Sequence, residues 1–174
     1  MNLIIGNVFS LFAMFSDSFS SSRKTSQGVL WVQSLSQVFY ALSTIILGGY
    51  SASVQNVVSI LRNLFAIRGF SPKWLQWTLV VLGVGFGLYF NNLGWVGLLP
   101  VIANLFYTLA VFRCADNERA LKAAFLFAVI LFIIFNAFIW NIVGIFSNAA
   151  VAVSLVIFLT KKNAPQQEKT EETH

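Results

Sequence analysis

The sequence predicts an all-α polytopic membrane protein with seven transmembrane helices, and three observations carry that expectation. Of the 174 residues, 57% are hydrophobic and only 10% charged, with a mean hydropathy of +0.77. A soluble domain carries about 25% charged residues, so too little polar surface exists to coat a water-soluble globule. Seven apolar segments come close to the ~20 residues a membrane span needs: roughly 2–19, 28–48, 51–68, 75–91, 94–113, 120–139 and 142–160. The third observation is the placement of charge between them.

Arg23 and Lys24 follow the first segment, and Arg68 and Lys73 the third. Arg113, Arg119 and Lys122 flank the connection after the fifth, and Lys161 and Lys162 follow the seventh. The connections after the second, fourth and sixth hold no Lys or Arg. Basic loops favour the cytoplasm, so the alternation predicts an N-terminus outside and a C-terminus in the cytoplasm. The net charge of +5 is thereby explained without nucleic acid, and none is expected as a partner.

Each segment has its own reasons. The first, MNLIIGNVFSLFAMF, lacks a basic leader region and a small-residue cleavage site, so it reads as a retained span. The 121–160 stretch is too long for one span, and Asn136 to Asn141 with Trp140 marks a hairpin inside it. Trp31, Trp74 and Trp77 fall near the inner boundary, and Tyr50, Trp95 and Trp140 near the outer one, as interfacial aromatics do. One transmembrane domain over 1–160 results. It divides into a three-helix unit at about 2–68, a linker helix at about 75–91 and a second three-helix unit at about 94–160. Residues 161–174 read as a disordered cytoplasmic tail. Cys114, alone in a basic loop, reads as a reduced cytoplasmic thiol, and His174 is given no role.

The loop signs imply that the two three-helix units run in the same direction. A shift of 92 residues lays Asn56 on Asn148 and Tyr50 on Ile142, which predicts a 3+1+3 parallel repeat. Repeat-built transporters hold substrate near the midplane, at the repeat interface.

Polar stripes at helical spacing point to such a site. The third segment carries Gln55, Asn56, Ser59, Arg62 and Asn63. The first carries Asn7, Ser10 and Asp17, and the second Gln33, Gln37, Tyr40 and Thr44. The fifth carries Pro100, Asn104, Tyr107 and Thr108, and the seventh Asn141, Gly144 and Asn148. Any one such residue could simply bond a neighbouring helix, for about 0.6–2 kcal/mol. Five stripes together predict a shared hydrated pocket between the first, second, third, fifth and seventh spans, because lipid-facing amides are costly. The expected substrate-binding residues are Gln37, Asn56, Ser59, Asn104, Tyr107 and Asn148. Amide and hydroxyl groups suit an uncharged, hydrogen-bonding solute.

Arg62 lies about six residues, roughly 9 Å, from the inner end of its helix, too deep for a boundary residue. Asp17 sits at compatible depth near the inner end of the first span. The expectation is an ion pair, either fastening the two spans or acting as an inner gate, with contact to an anionic substrate as the other use of Arg62. Pro100 removes a backbone hydrogen bond and is expected to kink the fifth helix as a hinge. Gly83 and Gly87 form a GxxxG pair that allows close helix packing, within the protomer or in a homo-oligomer.

One His, one Cys and six acids leave no metal-ligand cluster and no nucleophile–base pair. No enzyme activity, metal or cofactor is expected. The leading expectation is a transporter or facilitator of a small polar solute. The alternative is a non-transporting membrane scaffold or regulatory subunit.

Two segments also carry a resemblance. GGYSASVQNVVSILRNLFAIR at 48–68 and LLPVIANLFYTLAVFRC at 98–114 resemble the YgjV-type family of small bacterial inner-membrane proteins. The resemblance implies residence in the bacterial inner membrane, with the lipid bilayer as partner. More distantly, the three-plus-one-plus-three order is similar to SWEET and PnuC-type facilitators, which carry sugars or vitamin precursors through a central pocket. In the sugar facilitators an Asn pair on the third and seventh spans lines that pocket, and the resemblance implies Asn56 and Asn148 as counterparts. The Pro-Gln dipeptide of those proteins is missing, since Val101 follows Pro100 and the first span has no proline.

Overall fold

A computed structural model describes residues 1–21, 26–70, 72–113 and 118–160. The readings placed on Arg23, Lys24, Cys114, the tail and His174 lie outside the described residues. Among those described, seven helices and no strands occur: α1 Asn2–Ser21, α2 Ser26–Ile46, α3 Tyr50–Ile67, α4 Lys73–Tyr89, α5 Leu98–Arg113, α6 Glu118–Phe138 and α7 Ile142–Thr160.

Most boundaries fall where the sequence places them, and local chemistry says why. Gly48 adopts a φ of +80° and Gly69 one of +69°, the left-handed conformation that ends a helix at low cost only for glycine. After α2, Gly49 N–H donates to Thr44 C=O (2.7 Å) and Gly48 N–H to Ile45 C=O (3.1 Å). After α3, Phe70 N–H donates to Phe65 C=O and Gly69 N–H to Ala66 C=O, both at 3.0 Å. Both ends are Schellman caps. The fifth helix departs from expectation, starting at Leu98 rather than 94. Asn91 folds the intervening stretch into a turn: its Nδ2 donates to Gly94 C=O (2.7 Å) and its Oδ1 accepts from Leu93 N–H (3.1 Å).

Two opposed faces emerge from the loop contacts. Asn7 near the start of α1 meets the α6–α7 turn, and Asn92 Nδ2 donates to Gly48 C=O (2.8 Å), so three turns and the N-terminus share one face. On the other face Gln27 Nε2 reaches Ile67 C=O, and Arg119 Nη2 donates to Leu159 C=O at 2.8 Å. Successive helices therefore run up and down. Packing links α1 to α2 and α7, α2 to α3, α3 to α4 and α5, α4 to α5, α5 to α6, and α6 to α7. Six helices close a ring in the order α1, α2, α3, α5, α6, α7, while α4 lies outside it against the α3–α5 seam.

Polarity is inverted relative to a soluble bundle. Ser10, Ser36, Ser43, Thr44, Gln55, Asn136 and Asn141 are buried, whereas Phe12, Val81, Phe146 and Trp140 are exposed. Two helical stretches, Asn2–Phe19 and Ile142–Thr160, are long and apolar enough to cross a membrane by length and composition. Leu30–Ile46, Leu98–Ala110 and Lys122–Phe138 are apolar but shorter. The polar stripe lowers the hydropathy of α3, and α4 and α5, at 17 and 16 residues, fall short on length, so fewer helices meet that criterion than the seven spans expected.

Candidate functional site

The face carrying the three turns is shut by packing and by amides. Ala52, Val96, Phe135 and Ile139 form a buried apolar cluster, with Leu47, Leu93 and Leu99 against it. Phe135 is completely buried, and a Cβ on Gly49 would come within 2.7 Å of its ring, so the α2–α3 turn fits the ring only as glycine. Asn7 closes the ring between α1 and α7. Its Nδ2 donates to Trp140 C=O (3.0 Å) and its Oδ1 accepts from Val143 N–H (3.1 Å), one of the unpaired donors at the start of α7. Asn141 Oδ1 accepts a second of these, from Gly144 N–H (2.9 Å), while its Nδ2 donates to Asn136 Oδ1 (3.0 Å).

Below this closure lies a cavity of about 250 Å³. All six expected binding residues line it: Gln37 from α2, Asn56 and Ser59 from α3, Asn104 and Tyr107 from α5, and Asn148 from α7. Asp17 of α1 and Arg62 of α3 line it too. They differ in what they have left to offer. Asn104 Nδ2 donates to Gln55 Oε1 (2.7 Å), and Asn148 Nδ2 donates within its helix to Gly144 C=O (2.9 Å). The side chains of Gln37, Asn56, Ser59 and Arg62 and the Tyr107 hydroxyl hydrogen-bond no described residue. The Tyr107 ring packs on Phe125, 5.1 Å between centroids. In a membrane bundle unpaired groups of this kind are rare unless they meet water or a ligand.

The expected Asp17–Arg62 ion pair is not formed. No hydrogen bond or ion pair joins the two side chains. Asp17 instead accepts from the Ser36 hydroxyl, with the Tyr40 hydroxyl beside it. Tyr40 in turn reaches Ser147 of α7 at 3.3 Å. The carboxylate is thus turned toward α2, away from the helix that carries Arg62. The second helix offers it two hydroxyls close by, and that local option displaces the longer reach.

A further cavity of about 340 Å³ lies among α2, α3, α4 and α5, lined by Gln33, Asn63, Gln76, Gly83 and Thr108 with apolar neighbours. Gln55, Arg62, Asn104 and Tyr107 border both cavities. Gln55 is the partition. It accepts from Asn104 and donates from Nε2 to Gly83 C=O of α4 (2.8 Å), joining three helices with one side chain.

Two structural readings need correction. Pro100 lies in the first turn of α5, where a proline interrupts no helix interior, so it is buried there without kinking the helix. The sixth helix, omitted from the expected pocket, supplies Phe125, Val129, Phe132, Phe135 and Asn136 to its wall. An apolar wall carries no polar stripe and gives no signal in hydropathy. Ser36 and Ser147 were missed for a different reason. A serine is common in such helices, and only its distance from Asp17 or Tyr40 gives it a role.

A closed, inside-out ring of helices with an apolar exterior defines an integral membrane protein. The chain belongs to the bacterial inner membrane protein family Imp-YgjV, whose model matches residues 4–164. No curated protein and no solved structure matches it.

Proposed function

We propose that this chain is a multi-pass facilitator that moves a small polar solute across the bacterial inner membrane through the central cavity. The observation that carries the reading is the set of uncommitted polar groups on Gln37, Asn56, Ser59, Arg62 and Tyr107, gathered from three helices around one cavity. A scaffold has no use for them, because its polar groups would be consumed in contacts between helices.

Several features support the full seven-span topology. Large apolar side chains cover the outside of the ring and of α4, in a continuous belt that water would not tolerate. All five tryptophans are either exposed near the helix ends or in the turns, as interfacial anchors are. The basic face, with Arg68, Lys73 and Arg119, then lies in the cytoplasm.

The 3+1+3 repeat is supported by boundary positions. Ile46 and Phe138, and Tyr50 and Ile142, are helix ends related by the same 92-residue shift. The cap after α6 repeats that after α2: Trp140 has a φ of +56° where Gly48 has +80°, and Asn141 N–H bonds Asn136 C=O as Gly49 N–H bonds Thr44 C=O. A bulky residue in that conformation is strained, so its presence argues for an inherited turn. The ring order has the matching symmetry, since α3 against α5 is answered by α7 against α1.

The test is purified protein screened by thermal shift against sugars, nucleosides, vitamins and amino acids, followed by uptake into proteoliposomes. A ligand at about 100 times its Kd adds about 2.7 kcal/mol to the folded state, which is readily seen. If no solute moves the midpoint and none enters faster than into empty vesicles, the non-transporting scaffold or regulatory subunit is the better account.

A further inference from the structure

The repeat gives the cavity matched positions with unmatched chemistry. Six pairs of lining residues are related by 92: Gln37 with Val129, Tyr40 with Phe132, Thr44 with Asn136, Gln55 with Ser147, Asn56 with Asn148, and Ser59 with Val151. Three of those pairs set a polar group in the first repeat against an apolar one in the second. Phe125 and Phe135 extend the apolar side along α6. The first-repeat wall is therefore almost wholly polar, while the wall facing it mixes an apolar strip along α6 with Asn104, Tyr107, Asn136, Asn141, Ser147 and Asn148.

Charge is divided in the same way. Asp17 and Arg62 both belong to the first repeat and both line the cavity, yet they are not joined to each other. Among the described residues Asp17 is met by hydroxyls and forms no ion pair, and Arg62 makes no hydrogen bond or ion pair, with Tyr107 as its polar neighbour. Two unlike charges, neither paired with a described counter-ion, are costly within a membrane bundle. A sugar can hydrogen-bond both but neutralises neither. A simple anion answers Arg62 and is repelled by Asp17, and a simple cation does the reverse. A molecule with both charges answers both, and its zero net charge matches that of the pair.

Resting on the facilitator reading above, we propose that the cavity binds a zwitterion with an apolar side chain, the chemical pattern of a hydrophobic α-amino acid. Its carboxylate meets the guanidinium fork of Arg62, which suits a two-oxygen acceptor, with the Tyr107 hydroxyl and Ser59 as neighbouring donors. Its ammonium meets Asp17. Its side chain lies against Phe125, Val129 and Phe132. At about 250 Å³ the space is below the usual drug-sized pocket, which fits a metabolite of this size.

The experiment uses the full chain in uncharged maltoside micelles, with thermal midpoints read as a function of concentration. L-phenylalanine is compared with phenyllactate, which lacks the ammonium, with phenylalaninol, which lacks the carboxylate, and with L-serine, which lacks the apolar body. Phenylalanine is expected to act at concentrations at least tenfold below the other three. Arg62→Gln should weaken it at least tenfold, and Asp17→Asn should abolish its advantage over phenyllactate. Should Arg62→Gln fail to fold, Arg62→Lys, which keeps the charge and loses the fork, is expected to weaken binding several-fold.

Equal action of phenyllactate and phenylalanine overturns the proposal. A shift by glucose or a nucleoside with none by the four probes overturns it too, while leaving the facilitator standing. Silence from every solute, with no uptake, removes both readings. Phosphatidylethanolamine also carries an anion and an ammonium. If adding this lipid stabilises the native chain but not Arg62→Gln, and amino acids do nothing, the occupant is a lipid headgroup and the solute assignment fails.

Discussion

Two of the uses to which asparagine is put here stand in contrast. Asn7, Asn91 and Asn141 sit at helix ends and satisfy backbone groups there, whereas Asn56 lines the cavity and hydrogen-bonds no described residue. Replacing Asn7 by Ala should therefore lower stability by about 1–2 kcal/mol, since it strands a backbone donor at the start of α7 and its partner carbonyl. Asn56→Ala should leave the thermal midpoint nearly unchanged while weakening ligand binding. Equal loss of midpoint in the two variants would contradict the division. Sequence could not make this distinction, because a capping amide and a free amide look alike in hydropathy and in helical phase. The same limit explains the Asp17–Arg62 expectation: depth and sign matched, but the nearby Ser36 hydroxyl could not be weighed. With no pair formed, the midpoint changes of Asp17→Asn and Arg62→Gln should add in the double variant to within about 0.5 kcal/mol. A clear excess or deficit would restore the pair.

Helix α4 shows what an element adds. Gly83, Gly85 and Gly87 are equivalent in composition and differ in what they face. A Cβ on Gly87 would come within 2.6 Å of Gln55 Nε2 and 2.8 Å of Val101 Cγ2; on Gly83 the nearest atom is Gln55 Oε1 at 3.3 Å; on Gly85 nothing lies within 4 Å. Alanine at 87 should thus push α4 off the α3–α5 seam and cost about 1–3 kcal/mol, as overpacking does. Alanine at 85 should be neutral or stabilising, by up to about 1 kcal/mol, through helix propensity. Alanine at 83 should fall between, and the order of the three melting midpoints is the check. The GxxxG pair was visible in the sequence, and the structure uses it inside the protomer. Helix ends were legible wherever a glycine caps them, at Gly48 and Gly69. The end of α6 was placed by the Asn136–Asn141 hairpin, though no rule predicts Trp140 at a φ of +56°. The start of α5 was missed because the Asn91 turn is polar side-chain chemistry inside a stretch that reads as apolar.

For the whole molecule, the two faces of the ring are unequally closed, and that inequality implies a direction of access. At the turn face the apolar cluster of Ala52, Val96, Phe135 and Ile139 fills the ring, and Ser51, Ala52, Ser53 and Gln55 of α3 are buried. Further along the same helix Asn63 is buried, but Arg62 is exposed and also lines the central cavity. The chain is thus shut toward the turn face and more open toward the basic one, the face that the proposed topology sets in the cytoplasm. A cysteine at position 59, halfway down α3, reports on this. With Cys114 replaced by Ser as background, Ser59→Cys should react with a membrane-impermeant maleimide at least tenfold faster in inverted inner-membrane vesicles than in spheroplasts. Adding Phe135→Ala removes the ring that fills the turn face, and should raise labelling in spheroplasts while lowering the thermal midpoint. Faster labelling from the spheroplast side in the parent would mean that the orientation, the closed face, or both are reversed. Labelling of position 68, beside the basic boundary, separates these: Arg68→Cys reacting only in inverted vesicles fixes the orientation, and leaves the closed face as the statement at fault.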